Sequence, residues 1–215
     1  MIGPVMIGPS SSHTAGVVRI GRLATRILES IPLYVEIIFY NSFARTYEGH
    51  GSDRAIIAGL MDFATDDIRI KNSFDHAKEI GLNYNFKSVG NASTLHPNTI
   101  KINLKSAEKS VEVIGESLGG GMINISEVDG FRADFSARLH TLIIKAEDVR
   151  GTIAFIADVL SNEDINIATM NVSRKGKNDL AYHFIEIDSE VVTIVINYLK
   201  HLKWVKDVIY IAPVD

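Results

Sequence analysis

The last third of the chain restricts its fold more than any other part. His140–Ala146 is patterned as a strand, Thr152–Leu160 has helical spacing, and Ile165–Arg174, Leu180–Ile187 and Val205–Ile211 read as further strands. One piece, Val191–His201, is ambiguous. Its β-branched run from Val191 to Ile196 favours a strand, whereas a start at Ser189-Glu190 and a length reaching Lys200 favour a helix. With a helix there, the order is βαββαβ.

The residues before this unit follow a different rhythm. Ala15–Glu29 places Val17, Val18, Ile20, Leu23, Ala24, Ile27 and Leu28 at helical spacing, with Arg19, Arg22 and Arg26 on another face, and Pro32 ends that helix. Leu33–Tyr40 reads as a strand with Leu33, Val35, Ile37 and Phe39 on one face. An apolar-periodic run follows from Arg54 to Phe63, and a shorter helix is predicted over Ser73–Ile80, stopped by Gly81. From about Leu82 to Ser126 short alternating strands take over, at Thr99–Leu104, Ser110–Ile114 and Met122–Ser126. Gly119-Gly120-Gly121 is expected to be a tight turn or bulge.

Two loops carry the chemistry. In Gly8-Pro9-Ser10-Ser11-Ser12-His13-Thr14-Ala15-Gly16, three serines, a histidine and a threonine lie where a glycine-proline loop enters the first helix. The first turn of a helix has backbone N–H groups without partners and the positive end of the dipole, so hydroxyls and amides there can converge on a carboxylate or phosphate. A serine-rich N-cap serving only its own helix is the competing reading. Glu48-Gly49-His50-Gly51-Ser52-Asp53 repeats the arrangement before the second helix, which Ser52 or Asp53 is placed to cap. His50 stands between two glycines, which permit close backbone approach and leave the imidazole accessible. Neither loop is a Walker loop or a Gly-x-Ser-x-Gly elbow.

These segments, Met6–Gly16 and Gly49–Asp53 together with His96-Pro97-Asn98-Thr99, resemble the beta chain of bacterial iron–sulfur-dependent L-serine dehydratases, over essentially the whole chain. That family converts L-serine to pyruvate and ammonia with a 4Fe–4S cluster, whose cysteines lie in a separate alpha chain or a fused alpha domain. Related beta chains generally carry a short lead before the Ile-Gly-Pro segment, so the resemblance implies that Met1 is a late start. The implied fold is α+β. An N-terminal domain over residues 1–136 would be an α/β unit like the allosteric substrate-binding domain of some phosphoglycerate dehydrogenases. Residues 137–215 would form a ferredoxin-like ACT domain of βαββαβ order. Asp148-Val149-Arg150-Gly151 and Asn166-Ile167-Ala168 carry the ACT resemblance and select the helix for Val191–His201, although Arg150 stands where many ACT domains have proline. ACT domains bind amino-acid effectors at paired interfaces, which implies an effector and self-association here. A module used only for dimerisation is the alternative.

Composition supports the same division of labour. The 215-residue chain contains no cysteine, so it cannot donate a thiolate to a cluster, form a disulfide or use a catalytic thiol. The expectation is a 4Fe–4S cluster ligated by a cysteine-bearing alpha partner and not by this chain. No histidine pairs at ligand spacing suggest zinc, so no metal-ligating residue is assigned. A net charge of −4 gives no reason to expect nucleic acid, and no segment has the pattern of a membrane span or a secretory signal. Cytoplasmic residence is the expectation.

Dehydrating serine requires loss of the α-proton and of the β-hydroxide. The resemblance implies that Ser10, Ser11, Ser12 and Thr14 hold the substrate carboxylate and that His13 and His50 are the acid–base groups. Asp53 would orient His50 or receive the substrate ammonium. His96 matches a family segment but can be structural, since an Asn after proline commonly caps a turn. His76, His140, His183 and His201 have no supporting constellation. Two other classes compete: a non-catalytic amino-acid-binding regulatory subunit, for which two histidines beside an anion site are superfluous, and a stand-alone hydrolase, which the missing elbow disfavours.

Overall fold

The computed structural model describes residues 5–90 and 94–214, so the expectation about Met1 lies outside the described residues. The chain divides into two compact units, one reaching Gly130 and taking in Val214, the other Phe131–Pro213. The division falls ahead of the boundary expected after residue 136. Its physical basis is that Phe131 and Phe135 pack on Tyr182 and Phe184, with ring centroids 4.5 and 5.8 Å apart. Among the described residues no helix is long and apolar enough to cross a membrane.

In the first unit, a π-helical turn at Ser11–Ala15 leads into α1, Gly16–Leu28, which ends with Glu29 in the left-handed region. The apolar face of α1 is buried along its length: Val17, Val18, Ile20, Leu23 and Ala24 have no exposed surface. β1, Tyr34–Tyr40, follows with Val35, Ile37 and Phe39 inward. Leu33 does not join that face. It precedes the strand at the end of the sheet, where its N–H donates to the Lys105 carbonyl, and its side chain is 55% exposed. Then come α2 (Asn41–Thr46), α3 (Ser52–Leu60), a 3-10 turn (Ile68–Asn72) and α4 (Ser73–Glu79). The strands β2 (Asn83–Val89), β3 (Thr99–Lys105), β4 (Ser110–Gly119) and β5 (Met122–Val128) complete the unit. They are ordered β2-β1-β3-β4-β5, with β1 and β2 parallel and the other neighbours antiparallel. Gly119, Gly120 and Gly121 all have positive φ in the tight β4–β5 turn.

Helices α1 and α3 meet backbone to backbone. A Cβ on Gly21 would lie 2.8 Å from the Ile56 carbonyl oxygen, and one on Gly59 would collide with the Val18 carbonyl oxygen. Gly59→Ala gains roughly 1 kcal/mol of helix propensity but meets an obstacle that cannot rotate aside, at an overpacking cost of about 1–3 kcal/mol. A net loss of up to about 2 kcal/mol is expected in chemical denaturation. A variant as stable as the parent would mean that the helices separate freely.

The second unit opens with β6, Phe131–Phe135, and continues as β7 (His140–Glu147), α5 (Thr152–Asn162), β8 (Ile167–Arg174), β9 (Leu180–Ile187), α6 (Thr193–Lys200) and β10 (Val205–Ile211). From β7 onward the order is βαββαβ, and the antiparallel sheet runs β10-β7-β9-β8. The segment from Thr193 is helical: Val195 and Leu199, four apart, are buried while Asn197 midway between them is exposed, a pattern that fits a helical turn and not the two-residue period of a strand. It begins at Thr193 rather than at Ser189-Glu190. Both helices share a core with the sheet through Ile156, Leu160, Val195, Leu199, Ile144 and Ile185.

Candidate active site

The Gly-Pro loop and the π-helical turn build the site. Gly8 lies directly over Thr14, with φ of 148° and no room for a Cβ, so the loop folds back on the turn it precedes. Ser10 caps the turn, its Oγ accepting from the His13 N–H at 3.2 Å. The turn is also held from outside. The Ser52 hydroxyl donates to the His13 carbonyl and the Ser117 hydroxyl to the Ser12 carbonyl, both at 2.8 Å and both from residues with no exposed surface. Gly16 allows this approach, because a Cβ there would collide with Ser117 Oγ. Ser52 therefore does not cap α3. The N-cap is Gly51, in the left-handed region, with no side-chain bond.

With its main chain clamped, His13 presents both ring nitrogens to hydroxyls. Nδ1 lies 3.0 Å from Ser12 Oγ and 3.4 Å from Ser10 Oγ, and those two hydroxyls are 3.2 Å apart. On the other side Nε2 is 3.1 Å from Thr46 Oγ1. The ring meets Phe43 edge-on and lies beside His50, each centroid 4.9 Å away. Burial, and secondarily the charge of His50, hold the His13 pKa below the ordinary imidazole value. Both causes favour the uncharged ring, the form able to accept a proton.

His50 is exposed and tied to the end of α2, where its Nδ1 and its N–H both point at the Thr46 carbonyl, 3.3 and 3.0 Å away. Asp53 does not hold it. The Asp53 carboxylate instead accepts from the Arg54 N–H at 2.7 Å, and no hydrogen bond joins it to His50. Burial raises its pKa, partly offset by that backbone bond. Ser10, Ser12, His13 and His50 are thus brought together. Ser11 makes no side-chain hydrogen bond, and Thr14, 2% exposed, turns its hydroxyl toward Gly8 without a partner. Thr14 also lines a neighbouring cavity of about 170 Å³ with Gly51, Arg54 and Lys71.

His96 makes turn contacts of its own, although the capping group is not the one expected. Its own Nδ1 accepts from the Asn98 N–H at 3.2 Å, and its carbonyl accepts from Thr99 Oγ1 at 2.8 Å. Asn98 instead fixes β4: its carbonyl accepts from the Ser117 N–H at 3.0 Å, placing the serine that clamps the turn. Ser117 and Thr46 went unrecognised in the sequence, because each acts across elements far apart in the chain and no local pattern marks it. Of the remaining histidines, His76 pairs with Glu79, His140 with Tyr210 and His201 with the Asn197 carbonyl. His183 is buried against the Ile144 carbonyl. Among the described residues no group of three His, Asp or Glu side chains could hold a metal ion.

The profile of the serine dehydratase beta chain family matches residues 2–128. The chain belongs to that family. The matched span contains the whole of the Ser10–His13–His50 constellation and the segments that clamp it. The chain is also 43% identical over 212 residues to a probable L-serine dehydratase beta chain of Bacillus subtilis, covering 99% of this chain and 96% of that one. It is 38% identical over 189 residues to the L-serine dehydratase beta chain of Peptoniphilus asaccharolyticus, covering 87% and 85%. The family resemblance thus extends through both units. A more distant likeness, 25% over 198 residues, links it to a D-3-phosphoglycerate dehydrogenase of Bacillus subtilis, taking in 92% of this chain but 37% of the dehydrogenase.

Proposed function

We propose that this chain is the beta subunit of an iron–sulfur L-serine dehydratase and that it supplies the acid–base half of the reaction. The observation that carries the proposal is His13: an imidazole whose main chain is clamped from two elements, with one ring nitrogen facing the Ser10 and Ser12 hydroxyls inside the family's matched span. In this reading Ser10 and Ser12 bind the substrate carboxylate, His13 takes the α-proton, and His50, at the solvent side, passes the proton on or protonates the departing hydroxyl. Ser11 would contribute through its backbone N–H, whereas the Thr14 N–H is already given to the Ser10 carbonyl at 2.8 Å and leaves Thr14 only its unpartnered hydroxyl. Asp53 is left to the substrate ammonium.

The residues of this chain do not fit a cluster site. It has no cysteine, and its described histidines and carboxylates form no ligand set. The 4Fe–4S cluster is therefore assigned to a cysteine-bearing alpha chain, with the active site completed by that partner in the cytoplasm. The first unit is read as an allosteric-substrate-binding-like domain, supported by the dehydrogenase likeness, and the second as an ACT domain, supported by its βαββαβ order. Self-association and an amino-acid effector belong to the ACT reading.

The test is anaerobic co-expression with a cysteine-bearing alpha chain and an L-serine to pyruvate assay of each chain alone and of the mixture. Turnover in the mixture alone, lost in air, is the expected result. Amino-acid binding by this chain without turnover, beside an intact cluster in the partner, would establish the regulatory subunit instead.

A further inference from the structure

Thr46 occupies the last position of α2 and touches both histidines, the one through its hydroxyl and the other through its carbonyl. Its hydroxyl proton is already placed: Thr46 Oγ1 donates to the Ser42 carbonyl at 2.8 Å, and a carbonyl can only accept. A hydroxyl has one proton. Toward His13 Nε2, 3.1 Å away, Thr46 Oγ1 can therefore act only as an acceptor, so Nε2 must carry the ring proton. The serines on the opposite side impose no such choice, since Ser10 and Ser12 hydroxyls both donate and accept. Thr46 alone breaks the tie.

We infer that Thr46 is a positioning residue that fixes His13 as the Nε2–H tautomer, leaving the Nδ1 lone pair aimed at the Ser10 and Ser12 hydroxyls. The Ser42 carbonyl is the second half of the device, because it orients the threonine hydroxyl. In the resting site the hydrogen-bond chain then runs from Ser10 Oγ to Ser12 Oγ to His13 Nδ1, with spacings of 3.2 and 3.0 Å. A substrate held by those hydroxyls meets the basic nitrogen and not the protonated one. The opposite tautomer would offer a donor where the reaction needs an acceptor. The catalytic meaning of the tautomer rests on the proposal that His13 is the base, but the tautomer itself is measurable without any turnover.

The experiment is nitrogen NMR of the full-length chain labelled at histidine nitrogens, above the titration range of the ring. The one- and two-bond couplings identify which nitrogen of His13 carries the proton. The wild type should show Nε2–H alone. Thr46→Val, close in volume, leaves Nε2 without an acceptor and should move the tautomer ratio toward Nδ1–H by about tenfold. Thr46→Ser keeps the hydroxyl and should restore the wild-type spectrum. The signal of His96, in the same unit and accepting at Nδ1 from the Asn98 N–H, reports whether each variant is folded. An Nδ1–H signal in the wild type, or an unchanged tautomer in folded Thr46→Val, overturns the inference. In the assembled enzyme Thr46→Val should reduce kcat about 10–100-fold with KM little changed, and Thr46→Ser should recover it. A wild-type enzyme with no turnover but with His13 as Nε2–H would defeat the dehydratase reading and leave the tautomer assignment standing.

Discussion

Replacing His13 with glutamine is expected to lower the kcat of the assembled enzyme by about 10²–10⁴-fold, the contribution of a positioned general base. The loss should fall on chemistry and not on folding. The two buried clamps on the turn, from Ser52 and Ser117, hold the main-chain carbonyls of His13 and Ser12, so they survive removal of the imidazole. The Ser10 cap likewise uses the His13 N–H. Circular dichroism and co-purification with the alpha chain should match the parent, with pyruvate formation nearly gone. Turnover within tenfold of wild type would remove His13 from the proton-transfer step.

His50→Ala should abolish most activity too, and its residual activity should have a displaced pH profile. In the wild type the His13 pKa is held down first by burial and then by the His50 charge. A base works when unprotonated, so the acid limb of kcat/KM should lie below the ordinary imidazole pKa of about 6.5. Removing His50 takes away the repelling charge and opens the ring to water, and both changes favour the protonated form. The acid limb should therefore move to higher pH, toward the ordinary value. A limb that stays in place would mean that the two rings, 4.9 Å apart, do not sense each other; a limb that moves to lower pH would contradict the assigned environment of His13. Normal turnover by His50→Ala would exclude it from the catalytic set.

Much of the architecture was legible because burial imprints a period on the chain. α1, β1 from Val35 to Phe39, the β3–β5 strands and most of the second unit follow from spacing of apolar residues, while the last helix of the βαββαβ order was chosen on the ACT resemblance. α2 was missed for the same reason in reverse. It is six residues long and buries only Phe43, too little to set a period, yet it carries Thr46. β2 also lacked a signal, since most of its residues are exposed. Thr193–Ile196 shows propensity losing to packing: this part of the β-branched run is helical, with Val195 and Leu199 buried together, while Val192 stays extended as the N-cap.

By itself the sequence determined the family motif, the periods of the main elements and, through the absence of cysteine, that these 215 residues donate no thiolate to a cluster. The tertiary structure alone decided which hydroxyls and rings meet. Ser52 was expected at a helix cap and clamps the His13 carbonyl, Asp53 turned away from His50, and Ser117 reached the turn from β4. The physical reason is that helix and strand periods depend on neighbours a few residues away. A hydrogen bond between α2 and the Ser11–Ala15 turn depends on how helices and sheet pack together, and no local pattern encodes that.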